Sequence, residues 1–194
     1  MGATIENLFT LTYSGKKFFP GNPEKSVFSM VDIAHHLAQC NRYSGAANFP
    51  FSVAQHSVLM AEKMLAATQN PFLALDCLFH DASEYVLGDM AKPIKLMMPD
   101  YNKVEARVDK AIREWLYNNG VFVPLEQTPE CKDYDKRMFL TEWPILKGHE
   151  DAGAWYPDHE PFTDVKIEEW DWKTARQQFY DAARELAQQA AHGN

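Results

Sequence analysis

Hydrophobic residues recur every three or four positions along most of this chain, which is the periodicity of an amphipathic α-helix. The pattern predicts helices over 32–40, 52–68, 71–87, 100–119, 131–146 and 169–191, with a kink near Pro144. Three intervening segments, 10–25, 41–51 and 148–168, are rich in Gly, Pro and polar residues and are predicted to be loops, the first alternatively a short extended pair. No segment alternates as a series of strands would. The sequence therefore predicts an all-α fold.

Capping residues mark several of these helix ends. Ser52 is a suitable N-cap for the second helix, and Asn70 followed by Pro71 is a strong start for the third. Gly88 and Gly120 are expected to terminate the third and fourth helices.

The length and composition indicate one domain over residues 1–194. Of these 194 residues, 46% are hydrophobic, which is enough for a packed core. The longest apolar runs fall far short of the roughly 20 residues of a membrane span, and the first fifteen residues lack the basic and apolar parts of a signal peptide. A cytoplasmic protein is expected, or one in the host cytoplasm if the source is a virus, with no membrane partner.

Charge and cysteine usage exclude further classes. The chain has 19 basic and 27 acidic residues, a net charge of −8, which argues against a stable nucleic-acid partner and against an anionic lipid surface. The three cysteines, Cys40, Cys77 and Cys131, contain no CxxC pair. They therefore argue against a disulfide framework and a thiolate zinc site.

The candidate chemistry starts from the pair His80–Asp81, which follows a segment, 72–79, that is apolar except at Asp76 and precedes Glu84 by one helical turn. On a helix, residues 80, 81 and 84 share a face. A solvated polar patch is the simpler interpretation of such a dipeptide. A buried charge, however, is costly without a cation or hydrogen bonds, and this helix is predicted to be otherwise mostly buried.

Two other predicted helices supply matching residues, His56 among apolar neighbours and Asp135 on the side marked by Met138. Asp133 is the alternative to Asp135, but at a spacing of two it should face the other way. Mixed nitrogen and oxygen ligands suit one divalent ion, Mn²⁺, Co²⁺, Fe²⁺, Zn²⁺ or Mg²⁺, with positions left open for substrate. The candidate metal ligands are His56, His80, Asp81 and Asp135.

The order His56, His80–Asp81, Asp135 resembles the H…HD…D signature of the HD-domain phosphohydrolase superfamily. The strings NRYSG (41–45), SVAQHS (52–57), LFHDASEYVLGDMAKPIK (78–95) and YDKRMFLTE (134–142) extend this resemblance over roughly residues 30–145. They resemble the branch that hydrolyses deoxynucleoside 5′-phosphates. The resemblance implies an HD-type helical bundle, with its core at about 30–145 and the N-terminal loop segment and C-terminal helix packed on it.

The resemblance also implies roles for particular residues. The four candidate ligands would bind the metal, and Glu84, with Asp81 beside it, would serve the catalysis by handling protons near the scissile phosphate. Arg42 and Lys95 would hold phosphate. Tyr43 stands where related nucleotidases carry an aromatic residue beside the substrate.

Two further substrate contacts complete this set. Asp89 matches a position that contacts the sugar. Lys92 could extend the phosphate contacts, with an exposed surface lysine as the alternative.

Several functions compete at this stage. Segment 82–134 contains no histidine, which argues against a dinuclear oxygenase or cyclic-nucleotide phosphodiesterase. A non-catalytic nucleotide-binding HD protein and a nucleic-acid phosphodiesterase remain as alternatives. The favoured function is hydrolysis of a small nucleotide, by a dNMP 5′-nucleotidase or by a dNTP triphosphohydrolase of the dATP type. Both cleave the bond between the 5′-oxygen and phosphorus, and a homo-oligomer is expected.

Overall fold

The computed structural model describes residues 4–148 and 151–192 and confirms the all-α fold. The predicted domain 1–194 and the predicted loop 148–168 include a few residues outside these ranges. The helices of the described residues are α1 (Met30–Gln39), α2 (Val53–Thr68), α3 (Pro71–Phe79), α4 (Glu84–Leu87), α5 (Lys92–Leu96), α6 (Pro99–Asn118), α7 (Pro129–Lys147) and α8 (Trp172–His192). Short 3₁₀ turns cover Ile5–Asn7, Pro23–Lys25, Arg42–Gly45 and Asp151–Ala154.

Local capping explains where the two central helices begin. The Ser52 hydroxyl accepts a hydrogen bond from the backbone N–H of Gln55, and the Asn70 side chain accepts one from Phe72 N. Pro71 occupies the first turn of α3, where its missing N–H costs nothing. The Ser52 cap fixes where α2 begins, and therefore where His56 lies on that helix.

The core is a helical cluster in which α2 packs against α3, and α8 packs across α1, α2 and α3. Its buried apolar side chains form a single cluster that extends from Phe18 to Ala190. Helix α7 lies against both α2 and α3. This packing brings Asp135 of α7 toward His56 of α2 and toward His80, which follows the end of α3.

The predicted helix over 71–87 is interrupted. Helix α3 ends at Phe79, residues 80–83 form a turn, and α4 begins at Glu84. At the break, the ring nitrogen Nδ1 of His80 lies 2.8 Å from the Cys77 carbonyl. In the turn, hydrogen bonds join residues three apart, as from Ala82 N to the Phe79 carbonyl. The His–Asp pair therefore lies in a turn and not within a continuous helix.

The remaining predictions agree with the structure within three residues at each helix end. Pro144 lies inside α7, and residues 10–25 contain an antiparallel pair, Thr10–Leu11 with Lys17–Phe18. Helix α5 was not predicted because five residues are too few to show a period. Among the described helices, none is both long enough and apolar enough to cross a bilayer.

Candidate metal centre and its cavity

Three side chains from separate parts of the chain meet at the centre of the molecule. The Nε2 atoms of His56 and His80 lie 3.3 Å apart, and Asp135 Oδ1 lies 3.5 Å from the first and 3.7 Å from the second. Both imidazoles are buried, and the Asp135 carboxylate is partly exposed. These three groups could hold a metal ion, since each offers a ligand atom and all the atoms lie within 4.8 Å of one another.

Hydrogen bonds orient both imidazoles for such a role. His80 Nδ1 faces the Cys77 carbonyl at 2.8 Å, and His56 Nδ1 faces Glu142 Oε1 at 2.5 Å. Because a carbonyl and a carboxylate oxygen accept hydrogen bonds, both partners favour the proton on Nδ1. With the proton on Nδ1, each Nε2 could offer its lone pair to a metal ion, as a ligand requires.

The structure also separates the two aspartates of α7. Asp135 Oδ1 lies near the Nε2 atoms of His56 and His80, whereas Asp133 Oδ1 lies 3.5 Å from His159 Nε2. Asp81 is adjacent to the group, with its Oδ2 3.0 Å from His80 Nε2. Its ligation of a metal remains a prediction.

A cavity of about 480 Å³ opens on this group. The sequence-predicted residues that line it are Arg42, Tyr43, Asp81, Glu84, Asp89, Lys92, Lys95 and Asp135. His56 and His80 lie behind this lining, in the core. The structure therefore brings every predicted site residue to one place, although the sequence separates the first and last of them by about half of the chain.

Glu84 is almost completely buried in the wall of the cavity. Burial raises the pKa of its carboxyl well above the usual range, and the nearby charges of Asp81 and Asp89 raise it further. Its Oε1 lies 3.3 Å from Lys95 Nζ, which also contacts Glu105 Oε1 at 2.7 Å. Glu105 can thus keep Lys95 charged while Glu84 is protonated, and a protonated Glu84 can donate a proton.

Arg42 is held between two carboxylates. Its Nε donates to Glu142 Oε2 at 3.1 Å and its Nη1 to Asp81 Oδ2 at 3.4 Å, and the residue is only 8% exposed. Burial disfavours the charged guanidinium, but Glu142 and the other acidic groups around Arg42, Asp81 among them, together outweigh this effect and raise its pKa. Arg42 therefore places a positive charge in the cavity wall beside Asp81.

Tyr43 has an unusual backbone, with φ of +59°, in the left-handed region that residues with a Cβ seldom adopt. Asp89 stabilises it, because Asp89 Oδ2 accepts a hydrogen bond from Tyr43 N at 2.8 Å. The Tyr43 hydroxyl donates to Glu142 Oε2 at 2.8 Å. Asp89, predicted to contact a sugar, therefore also fixes the aromatic ring of Tyr43 in the cavity wall.

Another part of the lining, the aromatic wall, is formed by ring side chains whose role sequence reasoning missed. Phe139, Trp143, Trp155 and Tyr156 line the cavity together with Lys147. The rings of Phe139 and Tyr156 meet edge to face with centroids 5.5 Å apart. Phe139 follows Asp135 by one helical turn, which is a usable sequence pattern. Trp155 and Tyr156 follow a short 3₁₀ turn in a segment without periodicity, so no sequence pattern indicates them.

Glu142 is the second residue that sequence reasoning missed. It is fully buried and contacts His56, Arg42 and Tyr43. Burial raises the pKa of its carboxyl, but the charge of Arg42 and the hydrogen bonds from His56 and Tyr43 together outweigh burial and lower it below the usual range. Its spacing of seven from Asp135 placed it on the same face of α7, but no role followed from that spacing.

Comparison with known proteins gives relatives without an assigned activity. An uncharacterized protein of Escherichia coli strain K12, YfdR, is 33% identical over 151 residues, which cover 72% of this chain and 79% of YfdR. An uncharacterized protein of Rhodobacter capsulatus is 37% identical over 106 residues, which cover 51% of this chain and 53% of that protein. No protein-family model matches the chain.

Proposed function

We propose that this chain, which belongs to the same family as YfdR of Escherichia coli, is a metal-dependent phosphohydrolase of the HD type that acts on deoxynucleoside 5′-phosphates. One observation carries the proposal. A buried His56–His80–Asp135 group lies at the end of a cavity whose walls carry both cations and aromatic rings. This combination supports binding of a metal, a phosphate and a nucleobase at one site.

The chemistry follows from which groups face the cavity. One divalent ion on His56, His80, Asp135 and, by resemblance, Asp81 would polarise a phosphate oxygen as a Lewis acid. Arg42 would offset the charge that develops on phosphorus oxygens during in-line displacement.

Glu84 would supply the proton that the leaving 5′-oxygen needs. Burial and the charges of Asp81 and Asp89 raise the pKa of its carboxyl, which favours a protonated Glu84 that would donate a proton to the departing 5′-oxygen. Lys95 contacts Glu84 Oε1 and keeps the carboxyl oriented. A water molecule would attack phosphorus in line, forming the new P–O bond and releasing a proton to solvent, while the bond between the 5′-oxygen and phosphorus breaks, in a monophosphate and a triphosphate alike.

The aromatic wall supports a nucleoside as the remainder of the substrate. Base stacking on an aromatic side chain contributes about 1–3 kcal/mol per base. Trp155 is 44% exposed and lines the cavity, so it offers ring surface to a ligand. A sugar between this wall and the metal would lie near Asp89.

The number of phosphates depends on two further cations. Lys92 donates to the Tyr156 hydroxyl at 2.6 Å and Lys147 to the Ala46 carbonyl at 2.8 Å, both neutral oxygens among the described residues. Arg42 and Lys95, in contrast, already contact carboxylates. The charges of Lys92 and Lys147 are therefore the ones available to a β- or γ-phosphate, which supports a triphosphate as one of the two substrates to test.

The test is a panel of dNMPs and dNTPs assayed with Mn²⁺ or Co²⁺, with phosphate and triphosphate products resolved by chromatography. Release of phosphate from a dNMP, or of triphosphate from a dNTP, supports the proposal and identifies the substrate type. A single-stranded oligonucleotide tests the alternative of a nucleic-acid phosphodiesterase. Metal-loaded protein that binds these nucleotides but cleaves none would instead support the non-catalytic alternative.

A further inference from the structure

Glu142 contacts two functionally different parts of the site with its two oxygens. Oε1 lies 2.5 Å from Nδ1 of the metal-ligand candidate His56. Oε2 accepts hydrogen bonds from Arg42 Nε at 3.1 Å and from the Tyr43 hydroxyl at 2.8 Å. Glu142 itself has no exposed surface, so it does not line the cavity.

We propose that Glu142 is a positioning residue that couples the metal ligand His56 to the substrate-binding pair Arg42 and Tyr43. This inference rests on the proposed function, which assigns metal binding to His56 and phosphate binding to Arg42. One side of the carboxylate holds His56 with Nε2 free for a metal, and the other side holds the guanidinium and the ring where phosphate and nucleoside would lie.

The coupling depends on a property that only a carboxylate has here. Every group facing Glu142 offers a hydrogen: Nδ1–H of His56, Nε–H of Arg42 and O–H of Tyr43. An ionised carboxylate accepts on both oxygens, so it satisfies both sides at once. A glutamine of almost the same shape has one acceptor oxygen and one donor NH₂ group, so it can satisfy only one side.

Glu142→Gln therefore has two possible orientations, and each has a different consequence. If the NH₂ group faces His56, Nδ1 must accept and the proton moves to Nε2, which removes the lone pair that a metal needs. If the NH₂ group faces Arg42, two donors oppose each other and the guanidinium is displaced. The first orientation weakens metal binding, and the second weakens nucleotide binding.

The experiment measures both affinities without relying on turnover. Co²⁺ binding is followed by its visible absorption in metal-free protein without nucleotide. Nucleotide binding is followed by calorimetry at saturating Co²⁺, with a deoxynucleoside 5′-phosphonate in which CH₂ replaces the 5′-oxygen. Partners that orient metal ligands typically change metal affinity about 10- to 100-fold. We expect Glu142→Gln to lower one or both affinities at least about tenfold, with its helical circular dichroism unchanged.

The matched control is Asp133→Asn, on the same helix, which removes a carboxylate whose contact is with His159. Both of its affinities should stay within about threefold of the wild-type values. Folded Glu142→Gln with both affinities also within threefold of wild type would overturn the inference while leaving the proposed function intact. Wild-type protein that binds neither Co²⁺ nor the phosphonate would contradict the proposed function, and the inference with it.

A measurement on the wild-type protein decides the matter if Glu142→Gln does not fold. In ¹⁵N-histidine-labelled protein loaded with Zn²⁺, the His56 Nδ1–H should give a downfield proton signal that exchanges slowly with water, because a buried carboxylate accepts it. A His56 ring without that proton would show that Glu142 does not orient the ligand.

Discussion

Replacing Glu84 with glutamine tests the proton donor of the proposed reaction with little change of structure. Glutamine has nearly the same volume, and its carbonyl can still accept the hydrogen bond that Lys95 now donates to Glu84 Oε1. Lys95 keeps its second partner, Glu105, at 2.7 Å. Glu84 is not one of the three groups that could hold a metal, so Glu84→Gln should keep the wild-type metal content.

The expected loss of rate follows from the loss of a proton donor. General acid catalysis typically contributes about 10²–10⁴-fold, which corresponds to about 3–5 kcal/mol of the activation barrier at about 1.4 kcal/mol per factor of ten. Glu84 is 3% exposed, so bulk water has little access to replace its proton. We expect kcat to fall by at least about 10² while KM stays near its wild-type value.

The pH dependence gives a second measurement. Because the pKa of Glu84 is raised by burial and by Asp81, wild-type activity should fall as the pH rises through that pKa, and Glu84→Gln should lack this decline. The same shift bears on metal-free stability. A folded pKa above the unfolded value gives stability that is complete below the unfolded pKa and is lost as the pH rises through the folded one. Wild-type protein should therefore lose more stability than Glu84→Gln between mildly acidic and alkaline pH.

Glu114→Gln is the control, because it removes a carboxylate of α6 whose contact is the exposed Lys110 and which does not line the cavity. Its kcat should stay within about threefold of wild type. Glu84→Gln that turns over within a factor of three of wild type would refute the assignment of Glu84 as proton donor. Loss of metal from Glu84→Gln would refute the separation of metal binding from proton transfer.

Three further variants test the other parts of the site. Metal analysis should give about one ion per chain, and two tightly bound ions would contradict a mononuclear site. Asp135→Asn should weaken metal binding at least tenfold, whereas Asp133→Asn should leave metal binding unchanged. Trp155→Ala should weaken nucleotide binding about 5- to 150-fold if it stacks on the base, at about 1–3 kcal/mol, yet leave hydrolysis of deoxyribose 5-phosphate unchanged. Lys92→Met should lower kcat/KM for a dNTP more than for a dNMP if the cavity holds three phosphates, whereas Lys103→Met, at an exposed lysine on α6, should affect neither.

Local sequence patterns were sufficient for the helices and for the ligand candidates. The apolar period and caps such as Asn70 act over a few residues, so helix ends could be placed within about one turn. The order of His56, His80–Asp81 and Asp135 among apolar neighbours likewise identified residues that are now found together. The helix break after Phe79 was not predicted because the change from α-helical to i→i+3 hydrogen bonds at 80–84 leaves no mark on the hydrophobic period.

Only the tertiary structure decided which groups Glu142 contacts and which aromatic side chains line the cavity. The spacing from Asp135 placed Glu142 on one face of α7, but a glutamate on a helix is ordinarily a solvated charge. Glu142 can be buried because His56 and Arg42 donate hydrogen bonds to its carboxylate, and Arg42 is 100 residues away in the chain. Trp155 likewise joins the cavity only because the segment before α8 folds back over α7. A sequence states which donors and acceptors exist, whereas long-range packing decides which of them meet without water between them.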